Sequence, residues 1–139
     1  MAVGAQNKQI ASSNRAGIVH VLYGSSSGLG NSNQVIANHI LAQGINGLDD
    51  LFETGDLFAH SLSSADFNGD GPADLAVGVS GEDVASPSGT IVDAGAVNVI
   101  YGILISGLAP IFDQFWTQKI HNEIQRDNAE SGDGMGEIL

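Results

Sequence analysis

The chain repeats itself, and the period of the repeat limits what it can fold into. Ala16 to Gly24 reads AGIVHVLYG and Ala94 to Gly102 reads AGAVNVIYG, identical at six of nine positions and 78 residues apart. A second pair lies 77 residues apart: ETGDLFAHSL from Glu53 to Leu62 and ESGDGMGEIL from Glu130 to Leu139. A third, AVG at Ala2–Gly4 and again at Ala76–Gly78, falls in the same cyclic order. The 139 residues therefore hold about 1.8 periods. Self-similarity at a fixed period is the mark of stacked supersecondary units, each burying its apolar side on the next. On this alignment the chain begins inside one unit and stops inside another, which is expected of a piece of a longer array.

The units read as β-structure. Val19–Tyr23 and Val97–Tyr101 are β-branched and aromatic runs closed by Gly, the composition of strands. Asp74–Val79 alternates with Leu75, Val77 and Val79 on one face, and Phe58–Phe67 is a fourth candidate. Short strands between Gly-rich loops, with 19 Gly in the chain, imply an all-β fold of repeated small sheets. Two stretches, Asn33–Gln43 and Gln114–Arg126, read as short helical turns. Trp116 and Phe115 are expected to pack between sheets.

Composition removes several functions. Four Lys and Arg stand against 16 Asp and Glu, a formal charge of −12, so a phosphate backbone is repelled and nucleic acid is not an expected partner. There is no Cys, hence no disulfide, thiolate–zinc site or CxxC pair. No apolar run approaches the length of a spanning helix, and membrane insertion is not expected. Met1–Gln9 lacks the charged and apolar regions of a secretion signal.

The strongest local signal is Asp66-Phe67-Asn68-Gly69-Asp70-Gly71-Pro72-Ala73-Asp74. Oxygen-bearing side chains stand at positions 1, 3, 5 and 9 of this loop, with Gly at position 6 and the Pro72 carbonyl available at position 7. Calcium takes six to eight oxygen ligands, and alternate side chains of a tight loop can converge on it. Three carboxylates this close repel one another without a cation. An EF-hand is excluded, because its position 12 needs a bidentate Glu and here is Val77. A solvated Asp/Gly turn is the plainer alternative. Glu82, Asp83 and Asp93 read as a solvated acidic loop.

Taken in order, GD-LF-A-HSL, DFNGDGPADLAVGV and AGAVNVIYG resemble an FG-GAP repeat of the integrin-α β-propeller type, most of all in its bacterial secreted form. The resemblance implies four-stranded antiparallel blades in an incomplete propeller. It implies a calcium ion held by Asp66, Asn68, Asp70, the Pro72 carbonyl and Asp74. It divides the chain into the end of one repeat (1–24), a connection (25–54), a complete repeat with the calcium loop (55–102), a second connection (103–131) and the start of a further repeat (132–139). It departs from the family signature at Phe58-Ala59, Met135-Gly136 and Gly78-Val79-Ser80. What it implies of function is a calcium-stabilised scaffold for cell adhesion or extracellular ligand binding, without enzymatic activity. Partners would be an extracellular protein or a glycan, besides neighbouring blades of the same parent chain, at an extracellular or cell-surface location. An accessory propeller of a larger secreted hydrolase and a carbohydrate-binding propeller are the alternatives.

A remoter alternative is a dinucleotide-binding oxidoreductase fragment, since Gly24-Ser25-Ser26-Ser27-Gly28-Leu29-Gly30 follows a strand and precedes a candidate helix. Its sister stretch after Val97–Tyr101 loses the Gly spacing. His20, His39, His60 and His121 show no metal-ligand spacing; His20 aligns with Asn98 and His60 with Glu137, as variable strand positions do.

Overall fold

A computed structural model describes residues 1–29, 36–118 and 129–139. Among the described residues thirteen strands run in chain order: β1 (Ala2–Ala5), β2 (Ile18–Val21), β3 (Gly24–Ser25), β4 (Gly28–Leu29), β5 (His39–Leu41), β6 (Phe58–Ala65), β7 (Asp74–Val79), β8 (Val84–Ser86), β9 (Gly89–Ile91), β10 (Ala96–Ile100), β11 (Gly102–Ile103), β12 (Gly107–Leu108) and β13 (Gln114–Thr117). The fold is all-β. A single 3-10 turn at Pro110–Phe112 is the helical element among the described residues.

Two antiparallel sheets carry the architecture, one in the order β1-β2-β5 and one in the order β13-β10-β7-β6. The remaining strands form three small hairpins, β3–β4, β8–β9 and β11–β12. The repeat seen in sequence is a repeat in register. Val19 pairs Gly4 on one side and Leu41 on the other, as Val97 pairs Gly78 and Trp116. Val21 pairs Ala2 and His39, as Val99 pairs Ala76 and Gln114. Both sheets are meanders, which explains their small size and antiparallel pairing.

The junctions between units repeat as well. Gly55, Leu57 and Phe58 donate backbone N–H groups to Asn14, Arg15 and Ala16 at 3.0, 3.0 and 2.9 Å. One period on, Gly132, Gly134 and Met135 donate to Val92, Asp93 and Ala94 at 3.0, 3.2 and 2.9 Å. The side chain at the turn is reused too: Asp56 Oδ2 accepts from Glu53 N, as Asp133 Oδ2 accepts from Glu130 N at 2.7 Å. Gly17 and Gly95 make this approach possible. They stand at φ +90° and +81°, and a Cβ on either would overlap the backbone of Phe58 or Met135.

The core lies between the two sheets, where Val19, Val21 and Leu41 meet Phe58, Val77, Val79 and Ile100. β7 is buried at all six residues. Its Leu75, Val77 and Val79 occupy the expected face, and Ala76 and Gly78 are covered on the other. Gly78 lies so close to the Gly136 carbonyl that a Cβ there would collide.

Two sequence expectations are corrected, and one remote alternative is not supported. Asn33–Gln43 is no helix where described: residues 39–41 are β5, held by pairing with β2, while 33–35 lie outside the described residues. Residues 114–117 of the second expected helical stretch are β13, paired with β10, and 119–126 lie outside the described residues. In both, sheet hydrogen bonds overrode a weak local preference. The run from Gly24 to Leu29 is a hairpin, β3 against β4, not the strand–loop–helix that cradles a pyrophosphate.

Candidate functional site

The acidic nonamer connects β6 to β7, and its backbone is shaped by its own carboxylates. Asp66 Oδ1 accepts the N–H groups of Gly69 and Asp70 at 2.8 and 3.0 Å, and Asp66 Oδ2 accepts Gly71 N–H at 2.9 Å. Gly69 and Gly71 take φ +78° and +106°, which Gly does without steric cost. Asn68 bridges the tip: its Oδ1 accepts Asp70 N–H at 3.0 Å and its Nδ2 donates to Asp70 Oδ2 at 2.9 Å. Pro72 is half-buried against Gly102.

Asp74 differs from the others in being buried. Its Oδ2 accepts Phe67 N–H and its Oδ1 accepts Gly102 N–H, both at 2.8 Å. The carboxylate thus closes the loop on itself and ties it to the strand leaving β10. Asp66, Asn68, Asp70 and Gly71 face solvent.

The donor chemistry fits a hard cation: every candidate ligand atom is oxygen, and no Lys or Arg stands between Arg15 and Lys119. A carboxylate offers about four lone-pair positions; Asp66 uses three and Asp74 two on backbone N–H groups. Acceptor capacity therefore remains on both. Among the described residues no three His, Cys, Asp or Glu groups form a metal-holding cluster, so a cation here would draw on Asn68 and a main-chain carbonyl as well as on carboxylates.

This strand–acidic loop–strand unit lies inside the part of the chain that the family comparison picks out, residues 58–100, which match the model of the FG-GAP repeat. Over that stretch, which is under a third of the chain, the protein is similar to an FG-GAP repeat. The match runs from the first residue of β6 to the last of β10 and so includes the whole acidic loop. Comparison with curated proteins and with solved structures finds no match. No helix among the described residues is long and apolar enough to cross a membrane.

Along the β13 edge of the four-stranded sheet the structure gathers acids that sequence reading left scattered. A cleft of about 750 Å³ is lined by Asp49, Asp50, Asp83 and Asp113 together with Phe115 and Trp116. Asp113 accepts from Asp49 N at 3.0 Å and from the buried Asn98 Nδ2 at 2.8 Å; burial pushes its carboxyl above the ordinary value, with the Asn98 bond opposing. Trp116 is 54% exposed, whereas its register equivalent Leu41 is 1% exposed. The expected packing between sheets thus holds for Phe115, which lies half-buried on the core, and not for Trp116.

Glu82 corrects a further expectation. It is 3% exposed rather than solvated, and accepts from Gln43 Nε2 at 2.6 Å. Desolvation, reinforced by the carboxyl of Asp50, pushes it up to about 9. Asp56, also buried, is pushed up to about 6 by desolvation. Asp83 and Asp93 are exposed as expected. Of the histidines, His39 meets the Tyr23 ring edge-on, and His60 Nδ1 bonds Ser80 Oγ at 2.6 Å. His121 lies outside the described residues.

Proposed function

We propose that this chain is a calcium-binding β-propeller repeat segment that serves as an extracellular scaffold for adhesion or ligand binding. The observation that carries the reading is the acidic loop between β6 and β7. Asp66, Asn68 and Asp70 present oxygens at alternate positions, the Pro72 carbonyl follows, and the buried Asp74 anchors the end. A bound calcium ion would supply charge neutralisation there. The chain's own part is to preorganise the turn through six hydrogen bonds among the residues of the loop. In this reading the protein is a scaffold, not an enzyme, and the ion couples the loop to folding.

The test is a thermal melt of the chelator-stripped chain with and without calcium, repeated on Asp70→Ala. Calcium should raise the melting temperature of the parent and leave the variant unchanged. An equal rise in both would remove this loop from the assignment.

The cleft favours a second reading, carbohydrate recognition. An exposed indole beside several carboxylates offers a stacking plate and hydrogen-bond acceptors for sugar hydroxyls. Glycan-array binding that is lost in Trp116→Ala would support it, and binding retained in that variant would exclude this cleft.

A further inference from the structure

The hairpin β11–β12 ends in Ile103-Leu104-Ile105, and Leu104 and Ile105 are 80% and 81% exposed. The chain contains its own control. The equivalent hairpin β3–β4 follows the equivalent tyrosine, Tyr23 for Tyr101, and carries Ser25-Ser26-Ser27 at its tip. The two loops differ by one residue, Ser26-Ser27 against Leu104-Ile105-Ser106, yet both close a two-stranded hairpin at the same place in the repeat. The sister copy shows that a hairpin at this place forms with a polar tip, so closing the turn does not account for Leu104 and Ile105.

The tip is held rigidly away from the sheet. Gly102 N–H is fixed by Asp74 Oδ1 at 2.8 Å, Leu108 N–H by the Tyr23 hydroxyl at 2.7 Å, and Ala109 N–H by the Tyr101 carbonyl at 2.9 Å. Ile111 and Phe112, also exposed, follow on the 3-10 turn. Within the acidic loop at the base of the hairpin, Phe67 is exposed too.

We propose that this tip docks on a phospholipid surface, with the acidic loop at its base bridging to anionic headgroups through calcium. A stable protein interface needs about 800 Å² from each partner, and three aliphatic side chains on a narrow hairpin fall short of that. A bilayer makes no such demand, because each apolar group partitions on its own. The exposed Phe67 and Phe112 nearby add apolar area that partitions in the same way. One apolar anchor gives only marginal, reversible binding, and firm attachment takes a second signal. With no Lys or Arg between Arg15 and Lys119, anionic lipid repels this end unless a cation intervenes. The calcium half of this inference rests on the function proposed above.

The test is vesicle flotation of the full chain on phosphatidylcholine, with and without phosphatidylserine, in calcium or chelator. The parent should float on the mixed vesicles in calcium. The triple variant Ile103→Ser, Leu104→Ser, Ile105→Ser reproduces the serine tip of the sister hairpin. It should keep the calcium-induced thermal shift and lose bound protein by about tenfold or more. Undiminished flotation of that variant, or no flotation of a parent that still shows the thermal shift, overturns the proposal and leaves the calcium reading standing. Tip-dependent capture of a soluble protein without vesicles likewise overturns it. Tip-dependent flotation with no calcium effect in either assay supports the lipid surface and rejects the calcium reading.

Discussion

Asp74 accepts the backbone N–H of Gly102 at 2.8 Å, with the carboxylate buried beneath the loop it terminates. This bond joins the candidate cation loop to the hairpin with the aliphatic tip. The same carboxylate also takes Phe67 N–H, so one side chain satisfies two backbone donors from opposite sides of the loop.

Removing that carboxylate strands both donors. Asp74→Ala should cost about 2–4 kcal/mol in denaturant unfolding, since a buried unsatisfied donor costs about 1–3 kcal/mol. Asp74→Asn keeps one acceptor oxygen and should lose roughly half as much. Equal losses for the two variants would show that the pair of bonds is not what Asp74 contributes.

Stability should fall with rising pH because of Glu82. Its pKa goes from 4.5 to about 9 on folding, so between those values the native state binds more protons than the unfolded chain. The stabilising contribution of the protonated group is complete below about 4.5 and is lost as pH rises through about 9. Asp56 adds the same sign between 3.8 and about 6. Glu82→Gln should flatten the slope and raise stability at pH 8 by about 1–3 kcal/mol. A slope unchanged in that variant would place the titration elsewhere.

The two junction glycines should be equivalent. Gly17→Ala and Gly95→Ala should each cost about 2–4 kcal/mol, because both force a Cβ onto backbone at positive φ. The converse change is predicted at Leu57. It sits at φ +59°, the angle of Gly134 one period later. Relief of left-handed strain should outweigh the added chain entropy, so Leu57→Gly should raise stability by up to about 1 kcal/mol. Urea unfolding of the three variants reads all of these.

Calcium should act by mass action. At a free concentration about 100 times its dissociation constant, stabilisation should reach about 2.7 kcal/mol and keep rising logarithmically. A melting temperature that stays flat across that titration would contradict a native-state site.

Much of this was legible in the residues. Strands β2, β6, β7 and β10 follow from β-branched runs bounded by Gly, and the pairing of units follows from matches spaced 77 and 78 residues apart. The acidic loop was legible because ligand spacing is local. Strands β5 and β13 were not. His39–Leu41 is too short to signal a strand, and Phe115-Trp116-Thr117, though strand-favouring, lack bounding turn residues on the C-terminal side; both are fixed as strands by pairing with Val19–Val21 and Ala96–Val99.

The amino-acid sequence by itself determined the repeat, the all-β character and the acidic loop, because each is written in near neighbours or in self-similarity. Tertiary structure alone decided which acids lose their water. Glu82 and Asp83 are adjacent in sequence, yet Glu82 is buried against Gln43 and Asp83 is exposed. It also decided that Leu41 is covered and Trp116 open at equivalent register positions. Desolvation depends on what packs above a residue, and that comes from segments dozens of residues away.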